Sequence, residues 1–398
     1  MRILLAGGGT GGHLYPALSL ARALSGAPAD PGRCKPGETI PQIELQLDLE
    51  TREGAPSILL VSSHAELDAG VLAETRIATA RVASGPISRS SLIAAAGGLA
   101  ANSVGVMQAL PIVARFKPDV VIATGGYASV PVVAAAATLR TARRLPKVKI
   151  AIVEPNAMPG LANRTLAKVA DEVWGTYAET GPYFPGKFVR IGTPIRPEFY
   201  APPPKADARR RLNLDPDRRT LLVFGGSQGS RRINVAVSAM AARRRLPTDW
   251  QVLHVAGKRD FEWMAAERRS EPNDNRYVVL PYLDDMALGF AAADAIVSRA
   301  GASTLAEIAI SGIASILVPY PHAAEDHQTK NAAAFVSRGA ALVIADERLD
   351  ADALYWALVE LLDDDKRETM AAAARGLSQP RALHHMVERI LTGGIGSR

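Results

Sequence analysis

Short apolar runs alternate with amphipathic segments along most of the chain. The runs are rich in aliphatic and β-branched residues, which is typical of buried parallel strands. In the first half they are Ile3–Ala6, Ile58–Val61, Val120–Ala123 and Ile150–Val153. In the second half they are Leu221–Phe224, Trp250–Val255, Tyr277–Leu280, Ala295–Val297 and Ser315–Val318. Apolar residues recur at helical spacing between the runs, so the sequence predicts an α/β fold with doubly wound sheets.

The length and the distribution of proline predict two domains. A chain of 398 residues exceeds what one core usually organises. A proline-rich stretch at 193–204 is typical of a stiff linker. We therefore expect a first domain at 1–195, a second at 196–375 and a terminal helical segment at 376–398. Residues 26–56 are rich in proline, glycine and charge, which indicates a surface insertion in the first domain.

Two glycine-rich turns stand at matching points in the two halves, each between an apolar run and a helix start. They are Gly7-Gly8-Gly9-Thr10-Gly11-Gly12-His13 and Gly225-Gly226-Ser227-Gln228-Gly229. Such turns bring backbone N–H groups up to phosphate, so two domains facing one phosphorylated ligand are expected. The first turn also fits the G-x-G-x-x-G pattern of dinucleotide sites. The second strand, however, ends in Ser62-Ser63-His64, without the carboxylate that a dinucleotide ribose requires, which disfavours an oxidoreductase.

The first domain carries two candidates for ligand chemistry. His13 directly follows the glycines, where an imidazole can take a proton from an incoming hydroxyl group. A helix-start histidine satisfied by the backbone is the structural alternative. Gly125, Gly126 and Tyr127 follow the strand Val120–Ala123, at the edge where doubly wound sheets bind ligands. A tight βα connection would explain the same three residues.

The second domain carries groups suited to hydroxyl recognition. Glu307 can accept hydrogen bonds from both hydroxyls of a ribose, while Ala302–Thr304 offer backbone N–H groups at a helix start. Thr304 and Glu307 also match a capping box, which alone would account for both residues. Gln328 can bind sugar hydroxyls because its amide both donates and accepts.

Composition and the spacing of metal-binding residue types limit the kinds of ligand and partner that we expect. The net charge of +6 and the pI near 9.4 indicate anionic partners. The lone cysteine, Cys34, fits a reducing cytoplasm. His322 and His327 lack metal-ligand spacing. The D-x-D strings at 215–217 and 350–352 fall away from the predicted cleft, so we expect neither metal nor cofactor.

A membrane surface is an expected partner. Residues 90–114 carry no charge, but their glycine, proline and amide residues predict a segment too polar and too broken to span a bilayer. The apolar residues Leu92, Ile93 and Leu99 are candidates for contact with the bilayer surface. The basic residues that follow predict a rim facing anionic lipid, or else a solvated face. These residues are Arg140, Arg143, Arg144, Lys147 and Lys149.

Taken in order, the motifs resemble the MurG family of glycosyltransferases, which add N-acetylglucosamine to lipid I. The segments that carry the resemblance are 8–13, 124–127, 154–160, 192–196, 225–229 and 327–331. The resemblance implies a GT-B architecture of two Rossmann-like domains with an interdomain cleft, and a terminal helix that crosses back to the first domain. It further implies UDP-GlcNAc as donor and lipid I, polyprenyl pyrophosphoryl-MurNAc-pentapeptide, as acceptor. The expected location is the cytoplasmic face of the cell membrane, with no nucleic acid partner.

The resemblance assigns site residues at matching positions. Its donor contacts are Thr10, Gly11, Gly12, Asn156, Arg196, Ser227, Leu283, Ala302, Ser303, Thr304, Leu305, Ala306, Glu307 and Gln328. The acceptor is expected at the first domain, with Gly125, Gly126 and Tyr127. The chain departs from the family pattern at Val153, Pro155 and Thr193, which leaves Glu154 and Asn156 as the residues carried over there.

The implied reaction is an inverting transfer without a covalent intermediate. His13 is expected to deprotonate the acceptor's C4 hydroxyl, with Glu154 as the alternative or supporting base. Ser227, Arg196 and helix-start N–H groups are expected to stabilise the departing UDP. Two other functions stay open. One is another GT-B enzyme, such as a diacylglycerol glycosyltransferase or a UDP-GlcNAc 2-epimerase, and the other is a non-catalytic regulator that binds nucleotide sugars.

Overall fold

The chain forms two compact units. The structure, a computed structural model, describes residues 1–9, 11–25, 56–65, 72, 77–85, 92–243, 246–269 and 276–396. One unit comprises Met1–Arg196 with Gln379–Arg398, and the other comprises Pro197–Ser378. Thr10 and nearly all of the predicted insertion at 26–56 lie outside the described residues.

The first unit is built on a parallel sheet. Its described strands are β1 (Arg2–Gly7), β2 (Ser57–Ser62), β3 (Ala78–Arg81), β4 (Val120–Gly125), β5 (Lys149–Glu154), β6 (Glu172–Gly175) and β7 (Phe188–Arg190). Their order is β3-β2-β1-β4-β5-β6-β7. The helices that precede the second unit are α1 (Gly11–Leu24), α2 (Leu92–Phe116), α3 (Ser129–Thr141) and α4 (Leu161–Leu166). The four predicted strands are confirmed as β1, β2, β4 and β5.

Alternate residues of β1 face two different layers of the first unit. Ile3 and Leu5 pack in the layer that contains α1, whereas Leu4 and Ala6 pack with α2 and α3. All four side chains are fully buried. A strand covered on both faces needs apolar residues at every position, which is why this run lacks polar alternation.

The second unit is built on a second parallel sheet. Its strands are β8 (Arg219–Phe224), β9 (Trp250–Val255), β10 (Tyr277–Leu280), β11 (Ala295–Ser298), β12 (Ala314–Leu317) and β13 (Leu342–Val343). Its helices are α5 (Lys205–Arg211), α6 (Arg231–Ala242), α7 (Lys258–Arg269), α8 (Met286–Ala292), α9 (Ala302–Ser311), α10 (His327–Val336), α11 (Ala351–Leu362) and α12 (Asp364–Gly376). The order is β10-β9-β8-β11-β12-β13, and the five strands predicted in this half are confirmed, the last one residue earlier than expected.

Both glycine-rich turns lie at the point where the strand order reverses. β1 pairs with β2 on one side and with β4 on the other, and β8 pairs with β9 and β11 in the same way. In open α/β sheets this switch point, at the carboxyl ends of the strands, is where ligands bind. The topology therefore places the turns that follow β1 and β8 at equivalent ligand-binding edges.

The last helix, α13 (Ala382–Leu391), belongs to the first unit and packs against α1. A buried carboxylate holds the segment that follows it. Glu172 of β6 accepts hydrogen bonds from Trp174 Nε1 (2.7 Å), from Arg389 and from the backbone N–H of Gly396 (2.8 Å). Burial favours the neutral acid, but the hydrogen bonds from Arg389 and Trp174 hold the pKa of Glu172 below its ordinary value. The terminal helix is thus fixed to the sheet by an ion pair.

Helix α2 is continuous, and the expectation of a broken segment was wrong. It passes through Gly97, Gly98 and Pro111 without interruption. The polar group of Asn102 is satisfied inside the unit, because its amide donates to the carbonyl oxygens of Gly85 (2.9 Å) and Gly98 (2.8 Å). A polar residue with internal partners does not interrupt the helix.

Helix α2 has one buried face and one exposed apolar face. Ala109 and Val113 are buried in the layer that contains α3. By length and composition, Ala96–Phe116 is apolar enough to cross a membrane, and 28% of that window is buried within the structure. Leu99 and Met107 lie on the exposed face with 71% and 72% of their surfaces accessible. The side chains of the other two proposed contacts, Leu92 and Ile93, lie outside the described residues.

The basic segment after α3 is divided between structural and exposed residues. Arg140 forms an ion pair with Asp171 (2.9 Å) and donates to the carbonyl oxygen of Val169. Asp171 also accepts the backbone N–H of Ile150 at 2.8 Å, so Arg140 helps to hold the sheet edge. This ion pair gives Arg140 a structural role, and its assignment to a membrane-facing rim stays a prediction. The exposed members of the cluster are Arg143, Arg144 and Lys147.

Candidate active site

His13 lies in the first turn of α1, and its ring contacts the end of β4. Its Nδ1 is 3.3 Å from the carbonyl oxygen of Thr124. Because a carbonyl oxygen only accepts hydrogen bonds, Nδ1 carries the hydrogen, and the lone pair of the neutral ring is on Nε2. The Thr124 hydroxyl donates back to the His13 carbonyl oxygen at 2.8 Å. This tautomer is the one that a general base acting through Nε2 requires.

Gly125 and Gly126 make room for that imidazole. Both have a positive φ, 99° and 77°. A Cβ at Gly125 would lie 2.5 Å from His13 Nδ1, and a Cβ at Gly126 would collide with the carbonyl oxygen of Gly8. The position of the His13 ring therefore explains why residue 125 is a glycine. Tyr127, assigned with them to the acceptor, is an exposed side chain at the same turn.

The first glycine-rich turn is shaped by close approach of β4. A Cβ at Gly7 would collide with the hydroxyl of Thr124, and Gly9 has a φ of 87°. Gly11 and Gly12 are the first residues of α1, where backbone N–H groups point out of the helix end. The described part of the turn thus leads into a helix N-terminus next to His13, the end of a helix that favours anions.

Glu154, at the end of β5, is buried and organises the loop that follows. Its Oε1 accepts the backbone N–H and the side-chain amide of Asn156, both at 3.0 Å. Its Oε2 accepts the N–H of Gly160 (3.1 Å) and the amide of Asn163 (2.9 Å). Burial raises the pKa of Glu154, although the four donors act in the opposite direction. These contacts indicate a positioning role for Glu154, and they hold Asn156 in place.

Arg196 is joined to the helix that carries His13. Its guanidinium carbon lies 5.1 Å from the ring centroid of Tyr15, two residues after His13. A cation over an aromatic face is attracted by the ring quadrupole. Thr193, a departure from the family pattern, is buried with its hydroxyl 2.7 Å from that of Thr176. The departure is therefore accommodated by a hydrogen bond inside the unit.

The second glycine-rich turn presents Ser227 at the start of α6. Gly226 and Gly229 have φ values of 89° and 72°, and the N–H of Gly229 donates to the Gly226 carbonyl oxygen at 2.9 Å. Ser227 and Gln228 are exposed on this turn. Ser230 caps α6 by accepting a backbone N–H of its first turn. A hydroxyl on a tight turn at a helix N-terminus is well suited to phosphate.

A buried polar network, which the sequence reasoning missed, supports this turn. His254 Nδ1 is 2.6 Å from the Tyr277 hydroxyl and Nε2 is 2.9 Å from Asn234 Oδ1. Burial lowers the pKa of His254 to about 3, so the ring is neutral. The amide of Asn234 donates to the carbonyl oxygen of Ala256 at 2.9 Å. A Cβ at Gly229 would collide with that same carbonyl oxygen, so the network fixes the backbone on which the turn packs.

Helix α9 begins at Ala302, and the predicted capping box was wrong. Gly301, in extended conformation, is the N-cap and forms no side-chain cap hydrogen bond. Thr304 therefore lies within the first turn of the helix. Leu305 is fully buried, whereas Glu307 is partly exposed. Because α9 follows β11, its N-terminus lies at the same sheet edge as the second glycine-rich turn.

Gln328 has a fixed amide orientation. Its Oε1 accepts the backbone N–H groups of Ala300 (3.2 Å) and Tyr320 (2.9 Å). The amide NH₂ therefore faces away from these two groups and is the part suited to a ligand hydroxyl. The loop just before it contains Glu325 and Asp326 with φ values of 56° and 52°. Non-glycine residues in this region store strain, which concentrates at functional sites.

The remaining predicted positions fall outside this edge or serve local structure. Leu283 is half-buried in the connection between β10 and α8. Asp350 caps α11 and Asp215 accepts the N–H of Asp217 at 3.0 Å, as expected of local turns. Among the residues that the structure describes, no group of three or more His, Cys, Asp or Glu side chains is placed to hold a metal ion.

A cavity of about 440 Å³ in the second unit lies at the opposite edge of the sheet. Its lining includes Asp294 and Ile313, which directly precede β11 and β12. The candidate donor residues follow the strands, so this cavity is separate from them.

Comparison with known proteins defines the class. Residues 37–174 match the glycosyltransferase family 28 N-terminal domain, and residues 220–386 match the glycosyltransferase family 28 C-terminal domain. The crystal structure of Acinetobacter baumannii MurG superposes with a TM-score of 0.70 at 24% identity, covering 98% of this chain and 99% of that one. The calicheamicin glycosyltransferase CalG4 gives 0.63 at 14% identity, covering 98% and 97%. The two parallel-sheet units are those of a GT-B glycosyltransferase.

Curated relatives define the family. The UDP-N-acetylglucosamine–N-acetylmuramyl-(pentapeptide) pyrophosphoryl-undecaprenol N-acetylglucosamine transferase of Moorella thermoacetica is 36% identical over 398 residues, 98% of each chain. The enzyme of the same name from Desulforamulus reducens is 35% identical over 401 residues, 98% of this chain and 99% of that one. The chain belongs to this family, the MurG glycosyltransferases.

Proposed function

We propose that the chain transfers N-acetylglucosamine from UDP-GlcNAc to the C4 hydroxyl of the MurNAc unit of lipid I, giving lipid II for peptidoglycan synthesis. The observation that carries the proposal is the 3.3 Å contact of His13 Nδ1 with the Thr124 carbonyl oxygen, which leaves Nε2 as the proton acceptor of a neutral ring beside a glycine-rich turn. The names of the relatives supply the substrate classes, a UDP-sugar and a pyrophosphoryl-undecaprenol acceptor. A base next to a phosphate-binding turn suits these two substrates, because both carry a pyrophosphate.

The donor is proposed to bind at the carboxyl edge of the second sheet. Ser227 and the N-terminus of α9 offer hydroxyl and N–H donors to the pyrophosphate. Glu307 accepts hydrogen bonds from the ribose hydroxyls. Gln328 donates its amide NH₂ to a hydroxyl of the sugar, because its oxygen is already bound to two backbone N–H groups. Each group thus has one chemical task toward UDP-GlcNAc.

The reaction is proposed as a direct displacement. His13 Nε2 takes the proton of the C4 hydroxyl as its oxygen attacks the anomeric carbon, and the bond to UDP breaks. Negative charge then develops on the leaving phosphate, where Ser227, Arg196 and helix-start N–H groups stabilise it. Glu154 holds the Asn156 loop through its four hydrogen bonds, which is a positioning contribution.

Transfer of radiolabelled GlcNAc to a lipid I analogue in the presence of EDTA tests this function. The expected result is a labelled lipid product, with full single-turnover activity after chelation. Label in diacylglycerol would favour the diacylglycerol glycosyltransferase, and UDP-ManNAc formed without acceptor would favour the 2-epimerase. Binding of UDP-GlcNAc without turnover on any acceptor would favour the regulator. Complete loss of single-turnover activity in EDTA, restored by Mg²⁺, would contradict the metal-free mechanism.

Replacing Glu307 with alanine is expected to raise the donor KM. Hydrogen bonds to a charged group contribute about 1.5–3 kcal/mol, so the expected increase is about 10- to 150-fold. Steady-state kinetics with UDP-GlcNAc measures it, and Glu347→Ala, an exposed glutamate of the same unit, is the control. An unchanged KM combined with a lower melting temperature would show that Glu307 is only structural.

We further propose that the protein works peripherally at the cytoplasmic face of the membrane, through α2. Leu99 and Met107 would contact the apolar interface from the exposed face of the helix. Arg143, Arg144 and Lys147 are exposed and follow α3, which packs beside α2. Each basic residue near an anionic surface contributes about 1 kcal/mol, so three support reversible docking.

The triple variant Arg143→Glu, Arg144→Glu, Lys147→Glu is expected to lose most binding to anionic vesicles at low salt. Arg140 is left intact because its ion pair with Asp171 is structural. Co-sedimentation is the measurement, and transfer to a short-chain soluble acceptor is expected to stay within about twofold because the site itself is unchanged. The matched control reverses three exposed charges of the second unit, at Arg210, Arg259 and Arg348. Equal vesicle binding by both variants would place the membrane contact elsewhere.

A further inference from the structure

We infer that Arg299 is a positioning residue that holds three segments of the donor site in register. The inference rests on the proposed function for the identity of the donor, UDP-GlcNAc. Arg299 follows β11 directly and lies at the carboxyl edge of the second sheet. Its side chain is 13% exposed, so it acts from behind the donor surface.

The guanidinium binds four acceptors on three separate segments. Nη1 donates to the carbonyl oxygens of Val318 (3.1 Å) and Pro319 (3.2 Å) and to Asp346 Oδ1 (2.6 Å). Nη2 donates to the Ser230 hydroxyl at 2.8 Å. The partners lie between 19 and 69 residues away along the chain. One side chain therefore joins segments that share no local structure.

Each contacted segment leads into a proposed donor group. Ser230 closes the turn that presents Ser227. Pro319 precedes Tyr320, whose N–H orients the Gln328 amide. The backbone of Arg299 itself leads to α9 with Glu307. Displacement of the guanidinium would therefore shift the phosphate, sugar and ribose contacts relative to one another.

The geometry requires arginine and not merely a positive charge. The planar fork presents Nη1 and Nη2 in fixed directions toward acceptors on different segments. Lysine has one terminal nitrogen on a shorter side chain. That nitrogen cannot bind Ser230 and the Pro319 carbonyl together with Asp346. Asp346 is itself only 13% exposed and needs a positive partner. Arg299→Lys keeps that positive charge beside Asp346 but removes the planar fork.

The same sheet offers a matched control at its other edge. Arg209 is 8% exposed and donates to the carbonyl oxygens of Ala292 (3.2 Å) and Pro216 (2.9 Å) and to Asp294 Oδ2 (2.6 Å). Its partners precede β8 and β11, whereas those of Arg299 lie beyond the strand ends. Arg209 thus joins separate segments as Arg299 does, but none of its partners leads into a proposed donor group.

The test compares Arg299→Lys with Arg209→Lys in the full chain. We measure the Kd of UDP by calorimetry, the KM and kcat for UDP-GlcNAc, and the melting temperature. Arg299→Lys is expected to raise the UDP Kd and the donor KM at least about tenfold. Arg209→Lys is expected to leave both within about twofold, although both variants lower the melting temperature.

Two outcomes overturn the inference. One is a UDP Kd within about twofold of wild type in Arg299→Lys, and the other is an equal rise in both variants, which would make the effect one of general stability. If Arg299→Lys does not fold, Ser230→Gly removes the hydroxyl that accepts from Arg299 while glycine still serves as an N-cap for α6, and it is expected to raise the UDP Kd about threefold, with rescue by Ser230→Thr. No rise in Ser230→Gly overturns the inference as well.

Failure of the proposed function would be visible separately. In that case the wild-type chain would transfer no GlcNAc to a lipid I analogue, while the difference in UDP Kd between the two lysine variants would persist and support the positioning role.

Discussion

Replacing His13 with alanine is expected to lower kcat by about 10²- to 10⁴-fold, the range for loss of a general base. The Kd of UDP is expected to stay within about threefold, because a base acts on the acceptor in the transition state. Alanine is a good helix former, so α1 is expected to keep its fold. Single-turnover transfer with saturating donor and acceptor measures the effect directly.

Glu154→Gln is the comparison for this prediction. The amide keeps one carbonyl oxygen as an acceptor but introduces an NH₂ where the carboxylate accepts hydrogen bonds from Gly160 and Asn163. A moderate loss of kcat is expected, because the Asn156 loop is displaced. A nearly active His13→Ala together with an inactive Glu154→Gln would transfer the role of base to Glu154.

The second large effect is expected from Gly125→Ala. The added Cβ would stand 2.5 Å from His13 Nδ1, at a backbone φ of 99° that disfavours alanine. Displacing a base by about 1 Å costs on the order of 10²-fold in rate, so kcat is expected to fall by about that factor. Steady-state kinetics with separate titrations of donor and acceptor is the measurement.

Gly339→Ala separates the contact from the backbone strain. Gly339 also has a positive φ, 67°, but nothing lies within 4 Å of its Cβ position. It is expected to lose stability with an unchanged kcat. If Gly125→Ala instead kept kcat and raised only the acceptor KM, Gly125 would contact the acceptor, as the family resemblance implies.

Strands covered on both faces were predictable from the sequence because burial requires an uninterrupted apolar run, as in Ile3–Ala6. Strand β6 was not predictable. It begins with Glu172, and a charged residue in a buried strand is tolerated here only because Arg389, 217 residues away, pairs with it. No local pattern carries that information.

Tertiary partners also overrode two local patterns. Thr304 and Glu307 have the spacing of a capping box, yet α9 begins earlier because Gly301 adopts the extended N-cap conformation. Arg140 stands in a basic run that resembles a solvated face, yet it pairs with Asp171. Sequence spacing predicts what a segment can form alone, and contacts with distant segments decide the outcome.

The glycine-rich turns of the candidate site were predictable from the sequence. The residues that hold these turns and His13 in place were not predicted. His13 was predictable because it adjoins the turn, but the Thr124 carbonyl that sets its tautomer lies 111 residues away. Arg299 was missed as a supporting residue, because its partners lie 19 to 69 residues away along the chain. An arginine directly after a buried strand was the available signal, since a buried guanidinium requires several acceptors.

The measurement that tests the central claim most directly is the structure of the product. The wild-type chain is incubated with UDP-GlcNAc, whose anomeric centre is α, and a lipid I analogue, and the purified product is analysed by NMR. The expected product has GlcNAc joined by a β linkage to the C4 oxygen of MurNAc, because a single displacement inverts the anomeric centre. An α linkage, a different attachment point, or unmodified acceptor beside hydrolysed or epimerised donor would contradict it.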